Sequence, residues 1–275
     1  MGNGKNISIS VLKKNALKSL KGNWGLAVLA NLLGGIILSI PNGINGARSY
    51  ETMKELRVYL ESIENGYDSY SKLHSYSGGG LSFLLNILIT GAVVYGLTRF
   101  NLNLIREKDP KVEDIFEGFK RYGRTVLINL LLLIFKGLWS LLLIIPIVIS
   151  VAVLIAIYVS GGEVSAGLGI FILIAAIAGS IALQIFLYRY SMAYFIFNDN
   201  DELDAMGALK ESIELMDGYK VKYFLLHLSF IGWGILSILT IGIGLLFLIP
   251  YIRASESSFY QQISIGDNPL EVIEF

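Results

Sequence analysis

The sequence predicts an all-α integral membrane protein, with about six transmembrane helices as three helical hairpins, each preceded by a cytoplasmic amphipathic interfacial helix. Three observations carry that prediction. Mean hydropathy is +0.61, and 54% of residues are hydrophobic against 16% charged, well outside the usage of a soluble domain. About 20 apolar residues at roughly 1.5 Å each cross a bilayer core of about 30 Å, and such runs fall at 24 to 40, 81 to 105, 125 to 145, 168 to 197, 223 to 240 and 243 to 262. Lys and Arg collect in alternate connecting segments, which sets the orientation.

The leader carries Lys5, Lys13, Lys14, Lys18 and Lys21, and places Ile9, Leu12, Ala16 and Leu20 on one helical face. The first run, from Trp24, lacks an Ala-x-Ala cleavage site before Pro41 and reads as a retained span. Residues 42 to 80 form the only sizeable outer segment. They carry a helix with Met53, Leu56, Leu60 and Ile63 on one face, then a Tyr-, Ser- and Gly-rich linker. After the second span, Asp109 as N-cap and Pro110 at the first position open a helix expected to bury Val112, Ile115, Phe116 and Phe119. It lies among Arg106, Lys108, Lys111, Lys120, Arg121 and Arg124, a cytoplasmic set.

Over Ile147 to Leu187, Pro146 interrupts an apolar run of about 35 residues, too long for one perpendicular crossing. Either the hairpin projects outward or extra membrane segments exist. The acidic run Asp199, Asp201, Glu202 and Asp204 suits a helix N-terminus. It lacks the spacing of a calcium loop. The helix after it places Met206, Leu209, Ile213 and Met216 on one face before Gly218, with Lys210, Lys220 and Lys222 completing the cytoplasmic charge. Both termini are therefore expected in the cytoplasm. Units of about 8 to 105, 109 to 198 and 201 to 265 form a candidate internal repeat in one polytopic domain. The segment 268 to 275 echoes residues 109 to 116 and would begin a fourth.

Lys plus Arg number 22 and Asp plus Glu 22, a balance that argues against a nucleic-acid partner. Cysteine is absent and the only histidines are His74 and His227, so disulfides, thiolate chemistry and histidine-rich metal sites are excluded. No cofactor, metal or catalytic group is expected. Ser69-x-x-Lys72 matches a nucleophile spacing without the other elements of such a site.

Arg99, Arg189 and Arg253 each lie near the cytoplasmic end of a returning helix, one to four residues after a tyrosine. Guanidinium groups at matching places would bind phosphate or carboxylate, or snorkel to cytoplasmic headgroups with the tyrosines as anchors. Glu256 stands three residues after Arg253 and would neutralise it. Lys136, eleven residues into its span, would either line a cavity or pair with a carboxylate such as Glu256 or with carbonyls. Asn31, Asn86, Asn129 and Gln184 are expected to hydrogen-bond between helices, and Ala175, Gly179 and Ala182 to allow close packing. Gly242 and Gly244 would let the chain reverse within or at the edge of the bilayer. Pro146 and Pro250 complete the hairpin and packing set. The expected partners are membrane lipids, anionic on the cytoplasmic leaflet.

Phe230-Ile231-Gly232-Trp233, Ser237 to Gly244, Ile249-Pro250-Tyr251 and Phe259-Tyr260 resemble a bacterial multi-pass family known only as domain of unknown function 975. Lys21 to Trp24, Trp139 to Pro146, Tyr190 to Ala193 and Ala208 to Met216 are similar to the same pattern, in order. The resemblance implies a Gram-positive plasma-membrane protein and carries no reaction, ligand or catalytic residue. Two functions are expected: a transporter-like or lipid-handling protein with an anionic ligand or headgroup site among the spans, or a non-enzymatic scaffold or accessory subunit in envelope stress or peptide resistance.

Overall fold

The computed structural model describes residues 7–41, 79–159 and 166–264. No strand occurs among them. The helix expected at 53 to 63, Ser69 and Lys72, and the segment 268 to 275 lie outside the described residues.

Eleven α-helices order the described chain: α1 Ile9–Leu20, α2 Trp24–Pro41, α3 Gly79–Ile105, α4 Glu117–Lys120, α5 Tyr122–Val159, α6 Ala166–Leu187, α7 Ala193–Asp199, α8 Ala205–Leu215, α9 Lys220–Leu228, α10 Ile231–Leu239 and α11 Leu245–Ser264. Five stretches are long and apolar enough to cross a membrane: Trp24–Pro41, Ser82–Ile105, Tyr122–Leu142, Gly169–Asp199 and Lys220–Leu239. The sixth expected span, 243 to 262, corresponds to α11 and falls short. Its second half carries Arg253, Glu256 and a serine-rich run, and residues 254 to 260 are all buried. A helix enclosed by other helices needs no apolar surface toward lipid.

Pro146 does not end a helix, contrary to expectation. α5 continues through it for 38 residues, about 57 Å at 1.5 Å per residue. A proline costs a helix one hydrogen bond and a clash, a local penalty that a long, otherwise regular helix absorbs. α5 packs against α6, with Trp139 edge-on to Phe186 at 4.5 Å between ring centroids.

The segment after α3 also differs. Asp109 has a positive φ of 46° and pairs with Lys111, so it is not an N-cap. Instead the Asp114 carboxylate accepts the Lys111 N–H at 3.2 Å and the Asn103 amide at 2.9 Å. A 3₁₀ turn, Val112–Phe116, follows before α4. Its period of three residues rotates the predicted face. Ile115 stays buried, while Phe116 and Phe119 are 47% and 38% exposed. α3 accommodates this turn through glycine. A Cβ at Gly96 would penetrate the Ile115 carbonyl, and one at Gly118 the Ala92 carbonyl.

Two buried clusters organise the interior. One joins α1, α3, α5 and α7 to α11 through Tyr95, Met192, Phe197, Leu209, Tyr223 and Phe259. The other joins α1 and α2 to α3 through Leu20, Ala27, Phe100 and Ile115. α1 buries Leu12, Ala16 and Leu20, and α8 with its C-cap buries Ala208, Ser212 and Met216, the same four-residue stride. Each stride ends two residues before a glycine with positive φ, Gly22 at 89° and Gly218 at 76°, a conformation that costs a residue with Cβ energy. α8 packs on α7, the 3₁₀ turn on α3, and α1 on α11.

Most large exposed apolar residues occupy α2, the start of α3, most of α5 and α6, and the run from Val221 to Ile249; Val11 and Leu17 of α1 and the row Phe116, Phe119 and Tyr122 are exposed outside these regions. From residue 89 to 115 of the chain, and from 182 to 220, no large apolar side chain is strongly exposed. The molecule therefore has an apolar-surfaced half and a base whose core is enclosed by its own helices.

Candidate functional site

The base is stitched by Arg106 just after α3, Arg121 between α4 and α5, and Arg124 in the first turn of α5. Arg106 makes a two-pronged pair with Asp199, at 2.6 and 2.7 Å, and donates through Nε to Gln261 at 2.8 Å. Tyr260 donates to the same Asp199 at 2.9 Å. Arg121 pairs with Asp201 through both of its terminal nitrogens. Arg124 donates to the Leu203 carbonyl at 2.7 Å and lies 4.7 Å from the Phe197 ring centroid. The acidic run thus divides its work: Asp199 and Asp201 hold arginines, and Asp204 caps α8 by accepting the Gly207 N–H at 2.8 Å.

The hydrogen bond from Arg121 holds the Asp201 carboxyl below the usual carboxylate range, with the charges of Arg121, Arg124 and Arg99 acting in the same direction. A depressed native value contributes stability that is full above the unfolded value, about 3.9, and fades as pH falls through the native one. The Asp201 side chain is 58% exposed, so the contribution is small. Asp201→Asn is expected to lower the thermal midpoint slightly at pH 7, with the gap to the parent closing below about pH 3; a gap that widens on acidification would reject this sign.

The four cations singled out from sequence do not share a partner. Arg99 lies within electrostatic reach of Asp201. Arg253 donates to Glu256 Oε2 at 3.1 Å. Arg189 lies 4.8 Å from the Phe186 ring centroid and 5.8 Å from that of Tyr190, and its buried Nε has no hydrogen-bond partner among the described residues. Lys136 stands on the exposed surface of α5, away from Glu256, whose oxygens are taken by Arg253 and His227. Of the four, Arg253 alone has an ion pair among the described residues, and no acidic group there draws the others together.

Lys136 and Arg189 nevertheless each lie about one helical turn from a residue that lines one groove. Trp139, Leu142, Ala182, Leu183 and Phe186 line an apolar groove of about 300 Å³ between α5 and α6. Lys136 is three residues before Trp139, on the same side of α5 within one turn. Arg189 is stacked on Phe186, and Trp139 donates through its indole N–H to the Tyr190 hydroxyl at 3.1 Å. Both cations stand at the end of the groove nearer the base.

Sequence reasoning missed the pairing of His227 with the buried Glu256. His227 donates through Nδ1 to the Tyr223 carbonyl at 3.0 Å, and its Nε2 lies 2.9 Å from Glu256 Oε1, so a proton is held between ring and carboxylate. Tyr188 stacks on the imidazole at 5.5 Å and Tyr223 packs edge-on at 4.6 Å. His227 and Glu256 are 29 residues apart, and only the α9–α11 return brings them together. Of the four polar residues expected to bridge helices, Asn129 does so, donating to Ile87 O at 2.9 Å and accepting from Tyr194 at 3.3 Å. Asn31 and Asn86 bond within their own helices, and Gln184 is exposed. Ala175 and Ala182 of the small-residue stripe are exposed too, and Ala182 lines the groove.

Residues 7–266 match the family described as protein of unknown function (DUF975). The chain belongs to that family. No curated protein and no solved structure matches it. The DUF975 match extends over all eleven helices, so the groove, the arginine-stitched base and the His227–Glu256 pair all lie inside the family's bounds.

Proposed function

We propose that this DUF975 member is a multi-pass protein of the bacterial plasma membrane, with both termini cytoplasmic, that binds the headgroup of an anionic phospholipid from the inner leaflet and performs no reaction. The observation that carries the reading is the pairing of two cations, Lys136 and Arg189, with one end of the apolar groove. A phosphate beside the unpartnered Arg189 Nε gains a charge-assisted hydrogen bond in a site of low dielectric. An acyl chain attached to it follows Trp139, Leu142 and Leu183, in a groove at the lower end of small-molecule pocket volumes.

The test is native mass spectrometry of the purified protein with phosphatidylglycerol or phosphatidylcholine. Arg189→Gln and Lys136→Met are expected to weaken phosphatidylglycerol binding several-fold, and Leu183→Trp to weaken it by filling the groove. Unchanged binding in all three would overturn the site. Orientation is separable: a single cysteine introduced at position 70 that reacts only from the cytoplasmic side would reverse it.

A second reading, a membrane scaffold or accessory subunit, is favoured by one feature of the base. Phe116, Phe119 and Tyr122 form an exposed aromatic row with centroid spacings of 6.3 and 6.4 Å, beside Lys120 and Arg121, and exposed aromatic clusters are docking features. If phosphatidylglycerol and phosphatidylcholine bind equally to the parent, this reading replaces the first.

A further inference from the structure

We infer that the α10–α11 hairpin ends inside the hydrocarbon of the bilayer, its apex at residues 240 to 244 surrounded by lipid acyl chains rather than by outer water. The inference does not depend on where a headgroup binds; it needs only that the chain sits in a membrane.

The backbone of the apex supplies the first argument. A turn in hydrocarbon has no water to satisfy its N–H groups, and each one left open costs several kcal/mol, so irregular backbone at that depth must close on itself. Here every N–H from 240 to 248 finds an acceptor within the hairpin. Thr240 and Gly242 both donate to the Ser237 carbonyl, at 3.2 and 3.1 Å, Ile241 to Ile238 at 3.0 Å, and Ile243 to Thr240 at 3.2 Å. Gly244 donates to the Thr240 hydroxyl at 2.9 Å. Leu245, Leu246, Phe247 and Leu248 donate to Gly242, Ile243 and, for the last two, Gly244. The two hydroxyls nearby also spend their protons internally, Ser237 on the Trp233 carbonyl and Thr240 on that of Ser237.

The side chains give the second argument. Ile238, Leu239, Ile241 and Ile243 are exposed, Ile241 to 95%, and no charged residue occurs from 230 to 252. A turn meeting water would leave these apolar side chains without a partner. Arm length agrees. Ile241 is 12 residues from Arg253 and 14 from His227, about 18 to 21 Å of helix. From Lys136 to Val159, α5 rises 23 residues, about 35 Å, enough to cross the whole core of about 30 Å. An apex about 18 to 21 Å from Arg253 and His227 falls short of that thickness.

The chain has no cysteine of its own, which makes the test direct. Full-length protein carrying Ile241→Cys, reconstituted in liposomes, would be labelled with a thiol-reactive fluorophore, and Lys108→Cys in the exposed base would serve as the aqueous control. We expect a membrane-impermeant maleimide to react at 241 at least tenfold more slowly than at 108 in permeabilised vesicles, iodide to leave the 241 fluorophore unquenched, and lipid brominated at mid-chain to quench it strongly. Iodide quenching, or maleimide reaction at the rate of position 108, would overturn the inference by placing the apex in water. Protection from both iodide and bromolipid, with disulfide-linked dimers forming through the thiol introduced at position 241, would overturn it in favour of a second copy of the chain covering the tip. Ile241→Cys that fails to fold is answered by Ile243→Cys, read in the same way.

Discussion

Gly96→Ala is expected to lower the thermal midpoint by on the order of 10 °C, from an overpacking cost of about 3 kcal/mol in a domain of this size. The reason is the pairing of α3 with the 3₁₀ turn. A methyl at position 96 would overlap the Ile115 carbonyl oxygen and carbon, which are backbone atoms and cannot rotate aside. Ile115 is itself fully buried, so the turn has no room to withdraw. Gly118 faces the Ala92 carbonyl across the same contact, and Gly118→Ala is expected to act alike. Gly25 and Gly137, inside α2 and α5, meet nothing within 4 Å when given a Cβ. Gly25→Ala and Gly137→Ala are therefore expected to leave the midpoint unchanged or raise it slightly, since glycine inside a helix costs about 0.5–1 kcal/mol relative to alanine. Differential scanning fluorimetry in one detergent compares the four. Equal midpoints for Gly96→Ala and Gly137→Ala would remove the close approach of α3 as the basis of this fold.

Glycine at the α3 contact illustrates which features a one-dimensional pattern conveys. The face of α1, with Leu12, Ala16 and Leu20, follows from a 3.6-residue period and is the face that packs on α11. The same reasoning applied after Asp109 puts Phe116 and Phe119 inward, because periodicity assumes an α-helix and the chain there forms a 3₁₀ turn. Pro146 shows the limit of a propensity rule: the penalty is local, and α5 carries enough regular helix on either side to continue. Hydropathy averages fail at α11 for a different reason. They treat a buried serine or glutamate as if it faced lipid, whereas residues 254 to 260 face other helices. Of the four cations, the Arg253 pairing to Glu256 is a local i to i+3 relation and was readable. The closeness of Lys136 and Arg189 to residues lining one groove depends on how α5 returns as α6, and no spacing in the sequence encodes it.

Glu256→Ala is expected to destabilise the protein by about 3–5 kcal/mol, the cost of breaking a buried charge pair from one side. Glu256 is only 7% exposed and its two oxygens are committed separately, Oε1 to His227 and Oε2 to Arg253. Removing the carboxylate leaves two proton-bearing groups facing each other with no acceptor between them. The imidazole cannot turn away cheaply, because Nδ1 is tied to the Tyr223 carbonyl, Tyr188 stacks on the ring and Tyr223 packs edge-on to it. Two comparisons separate the loss of charge from the loss of volume. Glu256→Gln keeps the shape and one acceptor, and is expected to cost less than Glu256→Ala. His227→Leu with Glu256→Leu removes both partners of one bond, and the double variant is expected to be more stable than the sum of its single effects, since apolar replacement of a whole buried pair is often neutral. Arg253 tolerates that change, because its side chain is half exposed and can reach solvent. Equilibrium unfolding in urea, followed by tryptophan fluorescence, gives the free energy of each variant. Strict additivity of the two leucine substitutions would show that His227 and Glu256 are neighbours without coupling, and the proton held between them would then have no energetic role in joining α9 to α11.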